Sequence, residues 1–431
     1  MTRRPPEAVV LSIGEELLDG RILDRNSAWL ARELGCLGVE VRRMLTVGDL
    51  PGELRRVLTE LDGAVPLVVS TGGLGPTEDD RVRAEAAAHA GVGLEDVPGA
   101  VERLDALWRR QHEGAEPPPW FLDQGRVPEG ATPLGNAAGT AWGFALTLPG
   151  GTLYVALPGP PTEAAAAWGE GGGRAALGDL ASHPEAPVVG TFHTAGAPES
   201  VVEARVRDLM GPGNPCLGIT ASPSGVSLSV RARPRPEAGQ SARDVLEETA
   251  RLLQHRLADL LWGRDDQTLA GVVVRALAER GASVATAESC TGGRLAAAIT
   301  GVPGASEVFH FGWVTYANAA KERELGVPHE TLQRVGAVSR EVAVAMAEGA
   351  RRASGADWAL SVTGIAGPSG GTPEKPVGLV YLGCAGPDGA FAVERRQWAR
   401  GGRESVQLQS VRDSLDLLRR ELLGLPRLPD R

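Results

Sequence analysis

Residues 283 to 300 read SVATAESCTGGRLAAAIT: an apolar run that ends in Glu288-Ser289-Cys290-Thr291, two glycines, and an Ala-rich amphipathic stretch. A hydroxyl and a thiol side by side at a strand-to-helix junction are candidate nucleophiles. A sharp turn there holds the side chain out and leaves backbone N–H groups free to face a ligand. Attack on an acyl carbon needs a nucleophile, a base that later protonates the leaving group, and donors for the tetrahedral oxyanion. Cys290 is intrinsically the more nucleophilic, but no histidine lies near it in sequence to activate it. Ser289 also has a plain structural reading as the N-cap of the following helix. The residues themselves leave nucleophile and cap both open.

The base is found through composition. Of 44 basic residues only Lys321 and Lys375 are lysine. A chain so biased toward arginine keeps lysine where arginine cannot serve, and the chief difference is that an ammonium can lose its proton. Lys321 stands in VTYANAAKERELG with Tyr316 and Asn318. Beside a serine, such an amine acts as a general base once burial or neighbouring positive charge lowers its pKa. Tyr316, one of three tyrosines, suits a proton relay or an amide contact, with a half-buried strand tyrosine as the alternative. Further on, LSVTGIAGPSGGTPEKPVG (360–378) delivers a β run into Thr363-Gly364-Ile365-Ala366-Gly367. Its amides and the Thr363 hydroxyl suit a phosphate, with Lys375 as charge partner.

A second loop of this kind lies near the N-terminus. VVSTGGLGPTEDDRV (68–82) runs from a β stretch into Thr71-Gly72-Gly73-Leu74-Gly75-Pro76-Thr77, then Asp79 and Asp80. Consecutive glycine-rich amides can converge on a phosphate, and the two carboxylates suit a divalent cation bridging to it. The plain reading is a turn followed by an acidic helix start. SIGEELLDGRILDRN adds Gly14, Glu15, Glu16, Asp24 and Asn26 just past the first strand, and ALPGPPTE adds Pro158 and Gly159 after a later one. Loops at strand carboxyl ends are where open α/β sheets bind ligands.

The elements that must position these loops follow from periodicity. Short β-like runs (EAVVLSIG, VEVRRML, VPLVVSTGG, TLYVALPG) alternate with helical stretches (SAWLARELGCLG, PGELRRVLTELDG), the mark of an α/β domain with a mainly parallel sheet. WGEGGGRAALG, near residue 170, loses this pattern. Residues 187 to 258 read as a small βαββα unit, and after the turn-like WGRDDQT a second α/β domain begins. The expected organisation is therefore residues 1–170, an α+β middle domain at 171–264, and a second α/β domain at 265–431.

Bulk properties narrow the function. A chain of 431 residues with 42% apolar content exceeds a single core, and no apolar run is long enough to span a bilayer or to serve as a secretion signal. A cytoplasmic protein without membrane association is expected. Four scattered cysteines and seven scattered histidines lack zinc or disulfide spacing, and the net charge of −10 disfavours direct nucleic-acid binding. Small-molecule ligands fit better.

IGEELLDGRILDRN, STGGLGPTEDD, NAAGTAWGF and LPGPPTE resemble the molybdopterin-binding-like domain (MoaB/MogA-like) of the competence/damage-inducible protein CinA family. TAESCTGG, GWVTYANAAK, VTGIAGPSGG and KPVG resemble that family's C-terminal nicotinamide-nucleotide amidohydrolase domain, in the family's order and over nearly the whole chain. The resemblance implies a C-terminal domain that deamidates nicotinamide mononucleotide without a cofactor, through Ser289, Tyr316 and Lys321. Thr291, Gly292, Gly293, Asn318, Thr363, Gly364, Ala366, Gly367, Lys375 and Arg403 would contact the substrate. It also implies an N-terminal domain that hydrolyses ADP-ribose with a divalent cation, Gly139 joining the glycine loops there, and a homodimer. Several positions depart from the family pattern: Val82, Arg25, Ala137 and Trp142 in the first domain, and Gly402 and Gln407 in the last. A nucleotide-sensing or partner-binding protein linked to competence, with a worn N-terminal site, is the alternative reading.

Overall fold

The computed structural model describes residues 5–181, 187–211, 213–389, 391–398 and 401–430. The chain divides into two compact units, Met1–Val189 with Ala232–Val245, and Gly190–Arg231 with Leu246–Arg431.

The first unit carries β1 (Glu7–Ile13), β2 (Glu40–Val47), β3 (Leu67–Thr71), β4 (Leu94–Asp96), β5 (Arg126–Pro128), β6 (Thr132–Leu134), β7 (Gly143–Thr147) and β8 (Leu153–Leu157). Its main sheet has the order β2-β1-β3-β8-β7-β6, parallel from β2 to β8 and antiparallel beyond, while β4 and β5 form a separate ribbon. β3 is buried along its whole length, as its unbroken LVVST run requires of a strand covered on both faces. One face packs on the helix Asn26–Cys36 through Leu30 and Leu34, the other on Glu53–Leu61 through Leu54, Leu58 and Leu61.

The small sheet has the order β10-β11-β9-β12, with β9 (Val188–Thr194), β10 (Cys216–Ser222), β11 (Gly225–Ala232) and β12 (Leu261–Arg264). The stretch beginning WGR, which reads as a turn in the sequence, supplies most of β12, paired antiparallel to β9 across a bulge. Four residues of mixed polarity give too little alternation to reveal a strand; pairing with β9 creates it.

In the second unit, β13 (Val284–Glu288), β14 (Phe309–Val314), β15 (Trp358–Gly364), β16 (Leu379–Ala385) and β17 (Phe391–Gln397) form a sheet of order β14-β13-β15-β16-β17. β13 is parallel to both neighbours, and β16 and β17 extend the sheet as an antiparallel hairpin. One face packs on the helices Leu269–Ala278, Arg294–Thr300 and Gly402–Leu423; the other packs on Asn318–Leu325 and Arg340–Ser354. The fully buried Arg420 anchors the last helix through ion pairs to Asp416 and Asp259. No helix of the described residues is long and apolar enough to cross a membrane.

Candidate active site and nucleotide cleft

Because β13, β14 and β15 run parallel, their carboxyl ends meet at one edge of the sheet. Ser289 follows β13, Thr315 and Tyr316 follow β14, and Ile365 to Gly367 follow β15. Residues far apart in sequence are thereby delivered to one crevice.

The turn after β13 is organised by a residue that motif reasoning passed over. Glu288 is fully buried, and its carboxylate accepts the amides of Gly293 (3.1 Å), Leu295 (2.9 Å) and Ala296 (2.8 Å). It thus satisfies the open N-terminus of the helix Arg294–Thr300, whose N-cap position is Gly293. Ser289 is therefore not the cap. Its own amide donates to Val362 O (2.9 Å) and its carbonyl accepts from Gly292 (3.1 Å). Among the described residues, the amides of Cys290 and Thr291 donate to no backbone carbonyl.

The Ser289 hydroxyl meets Lys321. Lys321 Nζ lies 3.2 Å from Ser289 Oγ, 2.7 Å from Thr315 O and 3.4 Å from Tyr316 O. Lys321 is 1% exposed, and burial pushes its ammonium below the ordinary lysine value. Nζ donates to all three oxygens, as an ammonium's three N–H groups allow; on losing one proton the amine would keep two donors for the carbonyls and turn its lone pair to the Ser289 hydroxyl. Burial also pushes the Cys290 thiol up to about 12, so the competing nucleophile stays protonated near neutrality.

Tyr316 is 59% exposed, and its hydroxyl accepts from Arg403 Nη2 (2.8 Å). Arg403 Nη1 donates to Gly367 O (2.9 Å), so one guanidinium ties the β14 and β15 loops together. Arg403 stands in the first turn of the helix Gly402–Leu423, where the helix dipole adds positive potential. One turn further along, the Gln407 side chain donates to Cys290 O (2.8 Å). Asn318 begins the helix that carries Lys321 and is exposed. Thr291 is buried, and its hydroxyl finds no partner among the described residues. Two predicted contacts have other employment: Thr363 Oγ1 donates to Ala337 O (2.8 Å), and Lys375 Nζ donates to the carbonyls of Val335 and Val338. Gly364 ends β15 and Ala366 lies in the loop that follows it.

In the first unit the carboxyl ends of β1, β3 and β8 border a cleft of about 710 Å³. Gly14, Asn26, Thr71, Gly72, Gly73, Gly75, Asp79, Asp80 and Gly159 line it, with Glu16, Asp24, Arg25 and Asp49. Gly72 has φ +101°, and a Cβ there would lie 2.2 Å from Ile13 O, so glycine is needed for the backbone to pass the end of β1. Asn26 Nδ2 joins two loops by donating to Gly159 O (2.7 Å). The buried Arg83 holds the glycine loop from beneath, donating to Leu74 O (2.6 Å).

Other predicted members of this cleft serve its walls. Thr77 Oγ1 and its amide both donate to Asp80 Oδ2 (2.5 and 2.9 Å), and Glu15 exchanges hydrogen bonds with Asp49. Gly139 lies against the Glu163 carboxylate, with its carbonyl bonded by Arg103, and Pro158 is buried beside Gly159. Burial, reinforced by the neighbouring carboxylates of Glu16, Asp79 and Glu15, raises Asp49 above the usual carboxylate range. Among the described residues no three His, Cys, Asp or Glu side chains converge on a metal position. Asp79 and Asp80 both border the cleft, where they would be the residues to hold a cation bridging to a bound phosphate.

Glu288, Asp49 and Arg83 had no role assigned from the sequence, and Gln407 stood out there only as a departure from the family pattern. Only for Glu288 was a trace legible: an acid ending an apolar strand must find buried donors, and the next helix start offers them.

Taken together, these features define a protein of two α/β domains and a small middle domain, with a Ser–Lys centre on one parallel-strand edge and a glycine-walled cleft on another. Residues 9–172 match the family described as probable molybdopterin binding domain, 190–263 the damage-inducible protein CinA KH domain, and 266–422 the CinA C-terminal domain. A CinA-like protein of Anaeromyxobacter sp. (strain Fw109-5) is 42% identical over 429 residues, covering 96% of this chain and 99% of that protein. A CinA-like protein of Synechococcus sp. (strain RCC307) is 40% identical over 418 residues, covering 96% and 98%. The chain belongs to the CinA family.

Proposed function

We propose that Ser289 and Lys321 are the reacting centre of an amidohydrolase that converts nicotinamide mononucleotide and water to nicotinate mononucleotide and ammonia. The observation that carries this reading is the 3.2 Å approach of a buried, pKa-lowered lysine amine to the Ser289 hydroxyl. Neutral Lys321 takes the hydroxyl proton as Oγ bonds to the carboxamide carbon, and the carbonyl electron pair moves to oxygen. The amides of Cys290 and Thr291 are the donors open to that oxyanion. When the carbonyl re-forms, the C–N bond breaks and Lys321 returns the proton to the leaving nitrogen, which departs as ammonia. Lys321 then draws a proton from water as the hydroxide oxygen attacks the acyl-serine ester, and release of Oγ restores the serine. Arg403 and the helix start beneath it suit the substrate's phosphate. The test is ammonia release from nicotinamide mononucleotide: none from the wild-type protein removes the reading.

For the first domain the cleft supports binding of a pyrophosphate-bearing nucleotide such as ADP-ribose. Asp79 and Asp80 border that cleft and would hold a divalent cation there, while Thr77 already donates twice to Asp80. The departures from the family pattern at Arg25, Val82, Ala137 and Trp142 favour a binding or sensing role for that domain over ADP-ribose turnover. Calorimetric titration with ADP-ribose, with and without magnesium, tests it, and metal-dependent AMP release lost in Asp80→Ala would overturn it in favour of a pyrophosphatase.

A further inference from the structure

We infer that Gln407 is a positioning residue for the Ser289 turn: by holding the carbonyl of Cys290 it aims the Thr291 amide at the oxyanion. The inference deepens the amidohydrolase reading and rests on it for the identity of the substrate. Peptide 290–291 is trans, so its C=O and N–H point in opposite directions. The C=O is fixed by Gln407 Nε2 at 2.8 Å, and Gln407 is itself buried on the helix Gly402–Leu423. That helix packs on one face of the sheet, whereas the helix bearing Lys321 packs on the other. The Thr291 N–H is therefore turned away from Gln407, toward the side from which Lys321 reaches Ser289.

Among the described residues no other hydrogen bond holds this peptide plane. The neighbouring amides are held by different groups: Ser289 N–H by Val362 O, Gly292 N–H by Ser289 O, and Gly293 N–H by Glu288. Among the described residues the amides of Cys290 and Thr291 donate to no backbone carbonyl, and Gln407 governs the second of them. Without that hydrogen bond the plane can rotate, and a donor that must be in place before charge develops loses its preorganisation. Gln407 touches no reacting atom, so its effect passes through Thr291.

The test compares Gln407→Met and Gln407→Glu, which remove the donor at similar volume, with Gln407→Arg, whose Nε–H stands the same number of bonds from the backbone. Two readouts are used: the rate at which a small fluorophosphonate labels Ser289, followed by mass spectrometry, and kcat and KM for nicotinamide mononucleotide. Both the labelling rate and kcat should fall by about 10- to 100-fold in the Met and Glu variants. KM should hold, and Gln407→Arg should recover most of the loss. Wild-type labelling and kcat in both donor-lacking variants, or no recovery in Gln407→Arg when its thermal midpoint matches wild type, would overturn the inference. Thermal unfolding of each variant identifies one that fails to fold, and the remaining donor-lacking variant then decides. Labelling without ammonia release from the wild type would sink the substrate reading while leaving the role of Gln407 to be decided by the labelling rates.

Discussion

Lys321 Nζ stands 3.2 Å from Ser289 Oγ although 32 positions of chain separate the two residues. β13 brings the serine and the turn after β14 brings the lysine, and the parallel pairing of those strands places both at one edge. Thr315 is the hinge of this arrangement. Its amide donates to Glu288 O (2.8 Å) and its carbonyl accepts from Lys321 (2.7 Å), so the serine's strand and the lysine's amine are tied to the two sides of one residue.

Replacing Lys321 by arginine keeps the charge and removes the capacity to shed a proton. Ammonia release from nicotinamide mononucleotide should fall by about 100-fold or more, the scale of a lost general base. Calorimetry on the same variant separates loss of chemistry from loss of fold.

The pH dependence has a definite sign. Burial lowers Lys321 from its ordinary 10.5, and the neutral amine is the active form. The ratio kcat/KM should therefore rise with pH, through a midpoint below 10.5. Stability follows the same group: the folded state disfavours the ammonium, a penalty fully present below the folded pKa and gone above the unfolded one. Lys321→Met should thus unfold at a higher temperature than wild type at neutral pH, and the gap should narrow as pH approaches 10.5. A gap that widened instead would contradict the assigned shift.

Thiol chemistry distinguishes the two candidate nucleophiles. Cys36 and Cys216 are exposed, whereas Cys290 and Cys384 are buried, with burial raising both thiols. A chromogenic disulfide reagent at pH 8 should titrate two thiols in the native protein and four after denaturation. Cys290→Ala should keep activity within about threefold, because the residue serves through its backbone amide.

Glu288→Gln tests the organiser of the turn. An amide has one acceptor oxygen where the carboxylate has two, and its NH₂ would face backbone donors. A loss of about 1–3 kcal/mol of stability is expected in denaturant titration, together with slower ammonia release. Glu288→Asp should not restore it, because the shorter side chain ends one methylene short of the three amides.

In the first domain, Gly72→Ala should collapse the cleft wall, since its Cβ would lie 2.2 Å from Ile13 O at a φ that L-residues rarely adopt. Loss of ADP-ribose binding with retained ammonia release is the expected pattern.

The α/β alternation, the glycine loops at strand ends, and the singular lysine at 321 were all legible in the sequence, because periodicity and composition are local properties of the chain. The small βαββα unit was legible too, except for β12, whose few residues become a strand only by pairing with β9. Ser289 remained ambiguous between nucleophile and N-cap, and folding resolved it by bringing Glu288 onto the helix start. Thr363 and Lys375 illustrate the reverse: in sequence they suggest ligand groups, and in the fold they bond carbonyls near residues 335 to 338. Asp79 and Asp80 both reach the cleft, and only the fold shows that Asp80 also receives two hydrogen bonds from Thr77. Residue types and their spacing thus determined which chemistry the chain carries. Only tertiary structure decided which groups are buried, and burial is what lowers one amine, raises one thiol and fixes the direction of one peptide plane.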